Sequence, residues 1–91
     1  MRLDKFLKVS RIIKRRPVAK QACDAGRVKV NDAVAGAGKQ IKTGDILEVR
    51  LRGGKLVVRV ERLAKTVRKE EAQSLYTVLE TTGAAEDLFD F

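Results

Sequence analysis

The chain has 91 residues, with 20 Lys+Arg against 12 Asp+Glu, a formal net charge of +8, no His and one Cys. This length gives one domain with a modest core, and the composition excludes His-based triads, a cysteine zinc cluster and an internal disulfide. No apolar run approaches the roughly 20 residues that cross a bilayer, and the charged start Met1–Lys5 is unlike a signal peptide, so a cytoplasmic protein is expected.

The charge is segregated. Residues 1–30 hold ten Lys+Arg against Asp4 and Asp24, whereas residues 31–91 hold ten Lys+Arg against ten acids. Such one-sided cationic loading marks a polyanion binder, and nucleic acid is the commonest polyanion. A solvated basic face that aids solubility is the plainer explanation.

Leu3, Phe6, Leu7, Ser10 and Ile13 recur at helical spacing and predict a helix over 3–14. Asp4 lies in its first turn, where it suits the helix dipole and can pair with Lys8. Lys5, Lys8 and Arg15 point away from the apolar stripe, with Arg2 and Arg11 on its borders. Lys14, Arg15 and Arg16 make a basic corner before Pro17, which pushes Arg16 out of helical conformation and suits the first position of a second helix. That helix runs to about Ala25 and ends on Gly26, with Cys23 as a small buried hydrophobe.

Arg27–Val30 alternates as a strand, Asn31 and Asp32 turn, and Ala33–Ala35 returns. Gly36–Gly38 is loop, and Thr43–Asp45 is a further turn. Ile46–Leu51 and Leu56–Leu63 read as strands joined through Gly53 and Gly54. Ala72, Leu75, Tyr76 and Leu79 predict a last helix over about Lys69–Glu80, with Glu70 and Glu71 at its positive end. Residues 81–91 form an acidic, unpatterned tail, expected to be disordered; Leu88, Phe89 and Phe91 make either a short docking motif or a frayed end.

No catalytic residue, metal or cofactor is expected, and the chain is not read as an enzyme. Glu70 and Glu71 are adjacent on a helix, so their side chains diverge. The glycine pairs lack the signature of a phosphate-binding loop. Binding fits better. Arg2, Lys5, Lys8, Arg11, Lys14, Arg15, Arg16 and Lys20 are candidates for RNA phosphate contact. No aromatic interleaves with them, which argues against base stacking and for reading the shape of a structured RNA. The second helix offers only Lys20, Gln21 and Asp24 for base edges in duplex DNA.

Arg2–Leu7, then Ser10-Arg11, the basic corner, Ala22–Asn31 and Gly44-Asp45 together resemble the RNA-binding domain named after ribosomal protein S-four, over about residues 1–50. Val9–Arg16 and the segment Arg68–Tyr76 narrow the likeness to the RqcP (YabO) proteins of ribosome-associated quality control. The chain is expected to end soon after this domain without an attached synthase domain, which points the same way. The related fifteen-kilodalton heat-shock protein family shares the core but usually carries a longer basic extension.

The resemblance implies an α+β fold, with two N-terminal helices packed on a small bent antiparallel sheet (the alpha-L motif) plus a C-terminal helix. It implies an RNA-binding domain at 1–63, a connector and C-terminal helix at 64–80 and the tail at 81–91. It implies a ribosome-associated, monomeric factor without membrane contact. Such a factor binds rRNA of the large ribosomal subunit together with peptidyl-tRNA, and supports alanine tailing of stalled chains by an RqcH-type protein. Arg2, Asp4 and Arg16 match the group's important residues, Arg2 and Arg16 as phosphate contacts. Asp4 is expected to hold a neighbouring cation such as Arg11 or Lys8.

Pro17 replaces a residue, commonly Thr, that would cap the second helix, and Asp32 replaces the usual glycine of the turn. The competing readings are a heat-shock-type rescue factor that acts on tRNA without tailing, a DNA-binding module, and a domain whose basic face meets an acidic protein. Membrane-surface binding ranks last, because no Trp/Phe/Leu face lies opposite the cations.

Overall fold

The first apolar stripe forms α1, Leu3–Val9, shorter than the 3–14 expected. The chain turns because Arg11 adopts a left-handed backbone at φ 62°. Ile12 and Ile13 are both fully buried. On a continuous helix they would lie roughly 100° apart, and Ile12 would leave the Leu3, Phe6 and Leu7 stripe. The step at Arg11 lets both reach the core, and the Ile13 N–H donates to the Leu7 carbonyl at 3.1 Å.

The second helix, α2, is Arg16–Asp24, with Arg15 as its extended N-cap at φ −121°, ψ 129°. Arg16 is therefore helical, one residue earlier than its position before Pro17 predicts. Pro17 stands inside the first turn rather than at the cap, so it displaces no capping side chain. Gly26, at φ 74°, ends the helix in left-handed geometry.

A computed structural model describes residues 1–51 and 53–83. It contains the strands β1 (Val28–Val30), β2 (Ala33–Val34), β3 (Ile46–Leu51), β4 (Gly54–Val60) and β5 (Tyr76–Thr82), and a 3₁₀ helix, Lys69–Leu75. The sheet order is β2-β1-β3-β4-β5, antiparallel throughout. Asn31 and Asp32, at φ 51° and 71°, make the two-residue turn between β1 and β2 with the double positive φ of type I′. The Asn31 side chain accepts from the Ile46 N–H at 2.9 Å and donates to Asp45 at 3.1 Å, which ties this turn to the start of β3. Strand β4 begins and ends earlier than the 56–63 expected, since Leu51 already pairs with Gly54.

The C-terminal helix needs correction. Its first half is the 3₁₀ helix, with Ala72 and Leu75 buried, but Tyr76–Thr82 is strand. Tyr76, Thr77, Val78, Thr81 and Thr82 are aromatic or β-branched, and β4 offers an open ladder on that side. Leu79, the fourth member of the supposed helical stripe, is 46% exposed. Residues 81 and 82 thus belong to β5, and Gly83 follows it at φ 83°; residues 84–91 of the expected tail lie outside the described residues.

One core joins α1, the Ile12-Ile13 corner and α2 to the sheet, with Phe6, Leu47, Val49, Leu56, Val58 and Leu75 at its centre. Glu48 of β3 lies within 4 Å of Lys29, Arg50 and Lys55, and Lys55 also meets Glu80. Lys29, Glu48 and Lys55 alternate with buried residues of β1, β3 and β4, so the sheet's outer side carries a ladder of opposite charges.

Candidate nucleic-acid interface

The interface is organised from Asp4. Residues 1–4 are strapped to the 37–41 loop: the Leu3 N–H donates to the Lys39 carbonyl at 2.8 Å and the Ile41 N–H to the Met1 carbonyl at 2.9 Å. This strap and the corner after Arg11 bring Arg2 and Arg16 to one carboxylate. Asp4 is only 3% exposed. Its Oδ1 accepts from the Lys5 N–H at 2.8 Å and Arg2 Nε at 3.2 Å; its Oδ2 accepts from Arg2 Nη2 and Arg16 Nε, both at 3.4 Å. Burial raises the Asp4 pKa, but hydrogen bonds from Arg2 and Arg16, and then their charges, outweigh it and hold the carboxyl below its ordinary value.

Asp4 therefore holds Arg2 and Arg16, not the Lys8 or Arg11 expected. The two arginine side chains remain 47% and 46% exposed, fixed at the base and open at the surface. Arg16 is consequently tied to the fold as well as available to a ligand.

A second group runs along the outer flank of α1. Lys5 lines a shallow cleft with Arg2, Gln40 and Lys65. Lys8, Arg11 and Lys14 line the next with Lys65 and Thr66. Arg11 and Lys14 also border a third with Lys69, Gln73 and Tyr76. The structure thus brings Lys5, Lys8, Arg11 and Lys14 together in one row along the 63–69 connector. Arg15 stands exposed at the α2 N-cap, outside all three clefts. Lys20 pairs with Asp24 at 2.9 Å on the exposed side of α2.

Lys65, Lys69 and Tyr76 were not legible as members of this surface. They come from the half of the sequence whose net charge is zero. That neutrality conceals a sorting. Lys42, Arg50, Lys55 and Arg59 are each bridged to an acid, while Lys65 and Lys69 make no salt bridge among the described residues. Lys5, Lys8, Arg11, Lys14 and Arg15 make none there either. The row is therefore a net cationic surface with its charges open to an anion. Tyr76 also corrects the expectation that no aromatic accompanies the cations: folding brings it beside Arg11 and Lys14.

Cys23 carries no chemistry here. Burial, followed by the nearby charges of Asp4 and Asp24, pushes its thiol up to about 11, so it stays protonated near neutral pH.

Residues 1–47 match the S4 domain family. The chain is 58% identical over 79 residues to the RQC P-site tRNA stabilizing factor of Halalkalibacterium halodurans, covering 86% of this chain and 89% of that protein. It is 55% identical over 80 residues to the Bacillus subtilis factor of the same name, covering 87% of this chain and 92% of the relative. Its fold is similar to trimeric Heat Shock Protein 15 of Vibrio cholerae, with a TM-score of 0.81, 26% identity, and coverage of 99% of this chain and 87% of that one.

Proposed function

Because this chain belongs to the S4 domain family and, within it, to the RQC P-site tRNA stabilizing factors, we propose that it binds the large ribosomal subunit carrying peptidyl-tRNA. In this reading it grips rRNA and tRNA together and steadies the tRNA while an RqcH-type protein adds an alanine tail to the stalled chain. It makes and breaks no bond itself and acts in the cytoplasm, on the ribosome. The observation that carries the reading is the paired arrangement of cations. Arg2 and Arg16 are anchored on buried Asp4, and Lys5, Lys8, Arg11 and Lys14 stand in a row beside them without acid partners among the described residues.

The arrangement suits folded RNA on physical grounds. Anchored guanidiniums lose little freedom on gripping phosphate and can do so bidentately. The three lysines of the row add charge without demanding one geometry, and Arg11 adds a second kind of donor. One copy is the proposed binding unit, since a single chain contributes every cation; the trimer is a property of Heat Shock Protein 15. The similarity to that protein also favours a second reading, a rescue factor that acts on tRNA without tailing.

Gradient co-sedimentation tests the proposal. The protein should travel with large subunits loaded with peptidyl-tRNA, more than with intact ribosomes, and excess duplex DNA should not displace it. Loss of alanine tails on deletion, with an RqcH-type protein present, separates the first reading from the second. Displacement by duplex DNA, or absence from the large-subunit fractions, overturns both.

A further inference from the structure

The cleft at the end of α1 has a composition the rest of the cationic row lacks. It measures about 490 Å³ and opens between Arg11 and Lys14 on one side and the 3₁₀ helix on the other. Ala72 and the half-buried Tyr76 form its apolar part; Lys69 and Gln73 complete the rim.

We propose that this cleft receives one unstacked nucleotide of the bound RNA, its base against Tyr76 and Gln73 and its phosphate among Arg11, Lys14 and Lys69. The inference rests on the RNA-binding reading above and adds a site to it. A duplex or loop gripped by shape alone needs only charge. An aromatic ring and an amide beside three cations form a base-plus-phosphate site, in which the ring supplies stacking, the amide a hydrogen-bonding edge and the cations the backbone contact. The volume lies within the roughly 300–1,000 Å³ typical of ligand clefts.

Arg11 adds an independent observation. Its backbone holds φ 62°, a left-handed conformation that side chains other than Gly, Asn and Asp seldom adopt. Glycine would meet the backbone requirement at this corner with less strain. The arginine there sets its long cationic side chain at the border of two clefts. The left-handed step itself serves the core by burying Ile12 and Ile13; what bears on the cleft is that this step carries an exposed arginine without a salt bridge among the described residues.

Tyr76 is the chain's one tyrosine and there is no tryptophan, so intrinsic fluorescence excited at the phenol reports on this cleft alone. The test titrates the whole protein with single-stranded hexaadenylate RNA and, separately, with an abasic hexamer of the same backbone. Saturable quenching by hexaadenylate, much smaller quenching by the abasic hexamer, and loss of the effect in Lys14→Ala/Lys69→Ala are expected. Tyr76→Leu should weaken binding to large subunits by about tenfold.

Equal quenching by the two hexamers, or quenching that rises linearly without saturation, overturns the site. So does displacement of hexaadenylate by hexaglutamate at matched ionic strength, which would assign the cleft to an acidic peptide. Unchanged subunit binding by Tyr76→Leu beside a binding wild type removes the cleft and leaves the RNA-binding reading standing. A wild type that ignores subunits removes that reading, and the hexamer titration then decides the cleft alone.

Discussion

Asp4 converts two exposed arginines into a positioned pair. Each arginine alone leaves the other on the carboxylate, so Arg2→Ala or Arg16→Ala should cost about 1 kcal/mol or less, given the solvent screening of half-exposed side chains. Removing both strands a buried charge, and the double variant should lose at least about 2 kcal/mol, more than the sum of the singles. Urea denaturation of the three variants checks this; additivity within about 0.5 kcal/mol would show that the carboxylate is not shared. Subunit binding should fall in each single variant even though stability changes little.

The same carboxylate and Asp45 make folding acid-sensitive. Asp45 is buried, which raises its pKa, but the Lys42 N–H, the Asn31 amide and the Lys42 ammonium outweigh burial and lower it. Both folded-state values lie below the unfolded ones, so the unfolded chain binds more protons in acid. The stabilisation is present above the unfolded value of about 4 and is lost as pH falls through the folded values. Stability measured between pH 6 and 3 should therefore decline, and Asp45→Asn should decline less steeply than the wild type. An identical slope would remove Asp45 from this role. Sequence spacing marks Asp4 as a first-turn acid with Lys8 one turn on. It does not reveal that Arg2, two residues earlier, and Arg16 share the carboxylate, because Arg16 reaches it only across the corner between the two helices.

Among the elements, those whose residues satisfy only one pattern were legible. Val28–Val30 and Ile46–Leu51 alternate with period two, Asn31-Asp32 marks the turn between β1 and β2, and Gly26 marks the end of α2. Strand β5 was not, because Ala72, Leu75, Tyr76 and Leu79 fit a helical stripe while the same stretch is rich in β-branched residues. The open ladder on β4 decides between them, and the sequence does not display it. The end of α1 was missed for a related reason: a lone arginine in left-handed conformation leaves no local signal.

Two substitutions test these elements. At Gly54 an added Cβ would collide with the Thr82 backbone across the β4–β5 ladder. Gly54→Ala should lower stability by about 2 kcal/mol or more and expose β5 amides to hydrogen exchange, while β1 and β3 stay protected. Uniform loss of protection would mean that β5 is not a separable edge. At Asp32, glycine relieves a positive φ of 71°, so Asp32→Gly should raise stability by about 0.5–1 kcal/mol. A fall in the thermal midpoint would mean that the aspartate side chain stabilises the turn by more than the strain it carries.

Across the whole molecule, folding sorts charge that the linear sequence only partly segregates. The acids of the second half neutralise cations on the outer side of the sheet and at the β-strand ends. Lys65 and Lys69 are left beside the amino-terminal row, so the surface is larger than residues 1–30 alone. Its two parts differ in kind: one is an arginine pair held on a buried carboxylate, the other a row without salt bridges among the described residues that ends at an aromatic cleft.

The most direct test is equilibrium binding of the wild-type protein to purified large subunits carrying peptidyl-tRNA, measured across salt. Six cations, Arg2, Lys5, Lys8, Arg11, Lys14 and Arg16, predict that affinity falls by about 10³-fold or more between 50 and 200 mM salt. Binding that is indifferent to salt, or no binding at about 150 mM, would contradict the account.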